Sequence, residues 1–227
     1  MDNKTSDDTG TLETEVREAV EKGLEVQERV RQITLRMIRG RSFDIKSLQR
    51  TTGAVLRGAR RAVEKEMQQS SGQSKVARER LKEAVTGLDL ALAQFAEAAK
   101  LAVEEAAGRA KKYSKKDLTH ARADLERLES MFVDSLQKSA SAAKDAAGDI
   151  LSDLAAHART NGSAVGAQMK ETLDVIAHQL GATGRAQAEA GLHLAQNTSD
   201  FIRQIAAGVL TGLAEHVKPG HPGGKGK

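Results

Sequence analysis

The sequence predicts an all-α protein, an elongated bundle or coiled coil of long amphipathic helices joined by short turns. The 227 residues include only two prolines, Pro219 and Pro222, so residues 1–218 contain none. Proline interrupts helix interiors and is common in turns, so its absence favours long helices. Aromatic residues make up only 2% of the chain. Because aromatic rings supply much of the buried area of compact cores, we expect a thin core of Leu, Val, Ile and Ala, which suits helix-on-helix contacts.

The N-terminal half is expected to hold three helices over residues 11–113, preceded by a disordered acidic tail over 1–10. The first helix should run from 11 to 40, because Thr11 and the acids after it suit a helix start. The second should end near a linker at 69–74, where small polar residues and a glycine cluster.

The third helix carries the most regular apolar pattern in the chain. Its large apolar residues alternate steps of four and three, which is the spacing of a heptad seam in a coiled coil or bundle. This pattern predicts a helix-association seam and, through it, a homo-oligomer. The seam residues are Leu81, Val85, Leu88, Leu92 and Phe95.

The C-terminal half is expected to begin with one long helix over 114–160. Its apolar residues recur at a mean spacing close to 3.6, which keeps them on one face of a nearly straight helix. Shorter amphipathic helices are predicted over 161–217. A disordered tail rich in Gly, Pro and Lys should follow over 218–227.

No arrangement of residues typical of catalysis or metal binding is present. The chain has no cysteine, which excludes disulfides, thiolate metal sites and cysteine nucleophiles. None of the six histidines pairs with another at the four-residue spacing of a helical metal site. No serine lies in a Gly-x-Ser-x-Gly motif. We therefore expect a protein that is not an enzyme, with no catalytic residues, no cofactor and no metal.

Hydropathy predicts no transmembrane segment. No apolar stretch approaches the roughly 20 residues needed to span a bilayer. The first ten residues are polar and acidic, without the apolar core of a signal peptide. The sequence therefore predicts a cytoplasmic protein, peripheral to granules or a membrane if it adsorbs on them.

A basic stripe is predicted on the second helix. Residues 36–61 contain eight Lys or Arg and a single acid, Asp44. A basic amphipathic helix can lie in an anionic lipid interface or dock on phosphates. The alternative is the ordinary solvated face of a bundle helix. Five basic residues fall within about one third of the helix circumference and are the surface or anion-binding candidates: Lys46, Arg50, Arg57, Arg60 and Arg61.

The last predicted helix, 201–217, has an apolar half and a small or polar half. Such a helix could insert shallowly into a lipid or polymer surface. It could equally close the bundle. The hydrophobic anchor candidates are Phe201, Ile202, Ile205, Val209, Leu213 and Val217.

These traits together resemble the phasins, bacterial proteins that coat storage-polyester granules. The resemblance covers 11–217 and consists of proline-free amphipathic helices, high Ala content, few aromatics, no Cys and a Lys/Gly/Pro tail after Val217. Exchangeable apolipoproteins are similar, and the sequence at 143–148 is similar to late-embryogenesis-abundant stress proteins. The resemblance implies a coat protein on a lipid or polymer-granule surface.

The function expected from the sequence is therefore that of a helical interaction or coat protein on a hydrophobic or anionic surface. One alternative is an oligomeric coiled-coil scaffold for protein partners. A second alternative is an architectural nucleic-acid binder, which rests on the basic residues of 36–61. The scarcity of aromatic side chains disfavours single-strand binding, in which bases stack on rings.

Overall fold

The computed structural model describes residues 2–39, 45–69, 74–108 and 115–189. In those ranges the chain forms helices and no strands, and the helices pack into a bundle, so the all-α prediction is confirmed. The helices are α1 (Asp2–Lys22), α2 (Val26–Arg39), α3 (Ile45–Gln69), α4 (Ser74–Gly108), α5 (Lys115–Glu126), α6 (Leu128–Ser141), α7 (Asp145–Asn161) and α8 (Ala164–Glu189).

The N-terminal segment differs from the prediction at both ends of its first helix. Residues 2–10, predicted as a disordered tail, lie within α1. The first helix also ends early, because Gly23 and Glu25 have positive φ angles of 65° and 50°. The Gly23 N–H donates to the carbonyls of Ala19 and Val20, which terminates α1. The described residues between 11 and 113 therefore fall in four helices where three were predicted.

The single helix predicted over 114–160 is wrong, because the chain turns back after α6. Ala142 ends α6 by donating its N–H to the Lys138 carbonyl at 3.1 Å. Lys144 then adopts an extended conformation, and its backbone N–H donates to Glu64 Oε1 on α3 at 3.0 Å. The apolar residues of the predicted stripe do face the core, but they are divided over α5, α6 and α7, and α6 and α7 form a hairpin. Periodicity cannot distinguish a straight helix from two helices that bury the same face against each other.

Helices α1 and α3 run in the same direction. Arg57 Nε lies 2.9 Å from Glu13 Oε2 near the start of this contact. Eight residues further along both helices, Lys65 Nζ lies 3.0 Å from Glu21 Oε1. Gly58 allows the two backbones to approach closely, because a Cβ there would collide with the Glu13 carbonyl oxygen.

Helices α2 and α8 both run parallel to α4 and lie on either side of it. Arg31 of α2 donates to Gln94 Oε1 of α4 at 2.6 Å. Thr172 of α8 donates to the carbonyl oxygen of Ala96 at 3.1 Å. Gly87 is a second point of close approach, since a Cβ there would collide with the carbonyl oxygen of Gln27 on α2. Helix α4 is therefore the central element to which the N-terminal and C-terminal helices attach.

The predicted seam of α4 lies in the core of this bundle. Leu81, Leu88 and Leu92 are fully buried, and Val85 and Phe95 are at most 5% exposed. Their neighbours in the core are mainly Leu, Val and Ala from the other helices. The seam therefore associates helices of one chain with each other.

Candidate functional site

Three of the five basic-stripe residues make contacts within the chain. Arg57 and Arg61 both form ion pairs with Glu13 of α1. Arg60 donates to the Ala142 carbonyl at the α6–α7 turn and lies 3.7 Å from Glu64. These arginines hold α1 and the α6–α7 turn against α3.

Lys46 and Arg50, at the start of α3, take no part in these ion pairs. Both side chains are exposed on the first turns of α3. In the described part of the chain they have no ion-pair partner. The structure thus places the five candidates on one helix but separates them into two cations without a described ion-pair partner and three that join helices, of which Arg57 and Arg61 are also exposed.

The six hydrophobic anchor candidates over 201–217 lie outside the described residues. The tail over 218–227 lies outside them as well. Nothing in the described structure tests these two predictions.

The described residues form a groove along α4, between α2 and α8, which we name the α2–α4–α8 groove. Its volume is about 530 Å³. Helix α2 contributes Arg31, and the base and the α8 side mix small apolar with polar side chains. These are Leu90, Ala93, Gln94 and Glu97 of α4 and Ala164, Ala167, Gln168 and Glu171 of α8.

Charged and amide side chains hold the rims of the groove in place. Arg31 donates to both carboxylate oxygens of Glu28, at 2.8 and 2.6 Å, and to Gln94. These hydrogen bonds from Arg31 lower the pKa of Glu28 below its usual value. On the opposite rim, Lys100 lies 3.1 Å from Glu171, and this hydrogen bond raises the pKa of Lys100.

Leu101 continues the groove face of α4 toward its C-terminal end. It follows Leu90, Gln94 and Glu97 at helical spacing and is 54% exposed. Among the described residues, the other exposed large apolar side chains are Leu24 and Val76. The groove face therefore combines apolar side chains at Leu90, Ala93 and Leu101 with polar ones at Gln94 and Glu97, and no described helix covers it.

A polar junction closes the end of the groove where α8 begins. Asp89 of α4 accepts the backbone N–H groups of Ala164 and Val165 at 2.8 and 2.9 Å. Ser163 accepts the N–H of Gly166 at 3.1 Å and donates to Glu129 of α6 at 3.3 Å. Burial raises the pKa of Asp89, and the nearby Glu129 carboxylate adds to this, while the two backbone hydrogen bonds oppose it.

Sequence reasoning missed both the groove and the Asp89 junction. The signal for the junction was partial: Gly162-Ser163 before an apolar stretch is typical of a helix start. Its acceptor, however, lies 75 positions away in the sequence. The groove gave no signal, because Ala, Gln and Glu at its base resemble any solvated helix face.

The described residues offer neither a cluster of metal ligands nor a membrane-spanning helix. That part of the chain holds no group of three or more His, Cys, Asp or Glu side chains that could bind a metal ion. None of the helices described is long and apolar enough to cross a membrane.

Comparison with known proteins adds one match. No curated protein and no solved structure matches the chain. Residues 2–219 match the model of a family of unknown function, DUF6781. This match spans nearly the whole sequence, from α1 to the end of the predicted anchor segment. The chain therefore belongs to the DUF6781 family.

Proposed function

We propose that this protein is a non-enzymatic, phasin-like interaction or coat protein that attaches to a hydrophobic surface through its C-terminal segment 201–217. The observation that carries the proposal is the burial of the apolar faces of α1–α8 within their own bundle. A bundle that has used its apolar faces internally has little left for adsorption. Segment 201–217 has seven large apolar residues, the six anchor candidates and Leu210, on one half of a predicted helix. It is therefore the element best suited to insert into a lipid or polymer surface.

The basic stripe adds electrostatic attraction to anionic surfaces to this proposal. Lys46 and Arg50 would add attraction to a surface that carries negative charge, since each cation near such a surface contributes about 1 kcal/mol. Arg57, Arg60 and Arg61 are already engaged with Glu13, Glu64 and a backbone carbonyl. The cationic contribution should accordingly be small compared with that of the apolar segment.

The two alternatives gain less from the geometry. A coiled-coil scaffold built on the α4 seam would need Leu88 and Leu92 to leave a core in which they are fully buried. A nucleic-acid binder would need the stripe arginines to exchange their present partners for phosphates. The homo-oligomer expected from the sequence stays a prediction, and sedimentation of the purified protein would test it.

The proposal is tested by placing charge on either half of segment 201–217. Replacing Ile205 and Leu213 by Asp puts two carboxylates on the apolar half. Replacing Gln204 and Thr211 by Asp puts the same charge on the opposite half, and this variant is the matched control. Adsorption on oil droplets and polyester particles should be lost in the first variant and kept in the second.

The circular dichroism melting temperature of each variant shows whether the bundle is intact. Equal adsorption of the two variants, with both bundles folded, would overturn the proposal. Loss of adsorption in the control as well would show that added negative charge, and not the apolar half, decides the result.

A further inference from the structure

The α2–α4–α8 groove is an amphipathic surface without a described occupant. Its base carries Leu90 and Ala93, continues to the exposed Leu101, and is bordered by Arg31 and Glu171. Helices α2 and α8 both run parallel to α4, so the space between them is elongated along the α4 axis. Such a shape suits a helix that presents one apolar face.

We propose that this groove is the docking site of the chain's own segment 201–217. The segment occupies the groove when the protein is not attached to a surface. This inference rests on the proposed function, because it assigns a second, mutually exclusive position to the same anchor. Docking would hide the apolar half of the anchor from water, and contact with a hydrophobic surface would release it. The groove would thus regulate attachment.

The length of chain after α8 permits this placement. Thr172 lies beside Ala96, so the end of α8 at Glu189 lies beyond the groove and about 7 Å past the end of α4 at Gly108. A helix that returns antiparallel to α8 with Val217 beside Leu90 would begin only roughly 10 Å back from Glu189 along the axis. The eleven connecting residues 190–200 can span up to roughly 36 Å when extended.

Charge favours the same antiparallel direction. Arg203 is fourteen residues before Val217, and Glu104 is fourteen residues after Leu90, so the two fall at the same level. Glu215 falls at the level of residue 92, close to Gln94, with which Arg31 is hydrogen-bonded. In the parallel direction, with Phe201 beside Leu90, Arg203 would lie at the level of residue 92 and face Arg31. Glu215 would then face Glu104. The antiparallel placement pairs opposite charges at both ends, whereas the parallel one opposes like charges.

The absence of native cysteine allows a direct test in the full-length protein. The variant Ala93→Cys/Leu213→Cys puts one thiol at the base of the groove and one on the apolar half of the segment, at nearly the same level. Ala93→Cys/Thr211→Cys is the control, with the second thiol on the opposite half. Under mild oxidation, the first pair should form an intramolecular disulfide at least about tenfold faster than the control. Oil droplets should reduce that rate to the control level.

Three outcomes would overturn the inference. Equal rates for the two pairs would show that the apolar half does not face the groove. Disulfide-linked dimers in place of monomers would assign the groove to a second copy of the chain. A rate that droplets do not change, in protein shown to adsorb, would show that docking and attachment are compatible.

Exchanging the charges of Arg31 and Glu215 tests the docked position independently. Arg31→Glu should slow the cross-link, and Arg31→Glu with Glu215→Arg should restore it. Adsorption on droplets is recorded for every variant, so failure of docking is distinguished from failure of the proposed function. Protein that adsorbs through 201–217 but never cross-links would keep the function and reject the docking site.

Discussion

Asp89 of α4 accepts the backbone N–H of Val165 at 2.9 Å, although the two residues are 76 positions apart. The first N–H groups of a helix have no partner within the helix, and a side-chain oxygen normally supplies one from the residue before it. Here a neighbouring helix supplies the acceptor. The contact therefore fixes the start of α8 against the middle of α4.

Replacing Asp89 by Ala should destabilise the bundle by about 1–2 kcal/mol, because two backbone N–H groups lose their acceptor. Asp89→Asn keeps one acceptor oxygen and should cost less. Urea unfolding monitored by circular dichroism measures both variants against the wild type. A wild-type midpoint in the Ala variant would show that water replaces the carboxylate without loss.

The same residue gives the stability a dependence on pH. Burial raises the pKa of Asp89 in the folded state above the value of about 3.9 expected in the unfolded chain. The folded protein therefore binds this proton more tightly than the unfolded chain does. The resulting stabilisation is complete below the unfolded pKa and is lost as pH rises through the folded pKa. Relative to Asp89→Asn, the wild type should lose stability over that interval, which unfolding curves at several pH values would detect.

Glycine substitutions should separate close helix packing from helix propensity. Gly58→Ala and Gly87→Ala put a Cβ against the backbone carbonyls of Glu13 and Gln27, and each should cost about 1–3 kcal/mol. Gly181→Ala is the control, because open space surrounds that position in α8. There alanine should stabilise the helix by about 0.5–1 kcal/mol. Equal effects at all three positions in thermal unfolding would contradict the close approach.

Shortening a side chain of the α4 seam should lower the stability of the monomer, whatever the protein concentration. Leu88→Ala removes a fully buried side chain and should cost about 2–5 kcal/mol. Leu24, in the α1–α2 turn, is 65% exposed, so Leu24→Ala should change stability little. If the loss at Leu88 varied with protein concentration, the seam would be buried between chains and not within one.

The pairing of Glu13 with two stripe arginines allows the stripe to be tested by one substitution that should raise the affinity for anionic vesicles and another that should lower it. Glu13→Gln should free Arg57 and Arg61 and raise the affinity for anionic vesicles. Glu18→Gln, an exposed α1 position, changes the net charge equally and should have a smaller effect. Lys46→Gln with Arg50→Gln should lower the affinity by about 1 kcal/mol per residue. Identical vesicle binding by all three variants would leave the stripe as a solvated face.

The helical class could be predicted from the sequence because proline content and apolar spacing are local properties. The same patterns located the seam residues from Leu81 to Phe95, all of which are buried. They could not show what buries them, since one apolar face serves equally well against another helix of the chain or another copy. The hairpin of α6 and α7 was missed for a similar reason. Its turn depends on Glu64, which lies 80 positions from Lys144.

The candidate site depended even more on distant contacts. Composition identified the basic residues of α3, but only the fold pairs Arg57 and Arg61 with Glu13. The groove exists because α2 and α8 lie on either side of α4, and none of its small or polar residues is unusual in isolation. Its lining could therefore be recognised only once the order of the helices around α4 was known.

The parallel arrangement of α2, α4 and α8 has a consequence for how the chain folds. Parallel neighbours cannot be joined by a short hairpin turn, so α4 meets α2 and α8 through contacts that span 63 and 76 residues. Helical proteins fold fast when their contacts are local, because little chain entropy is lost before each contact forms. This bundle should fold more slowly than an up-and-down bundle of the same length. Helix α4 must wait for α8 to be synthesised before its second side is covered, so a nascent chain that ends before residue 164 exposes that side of α4.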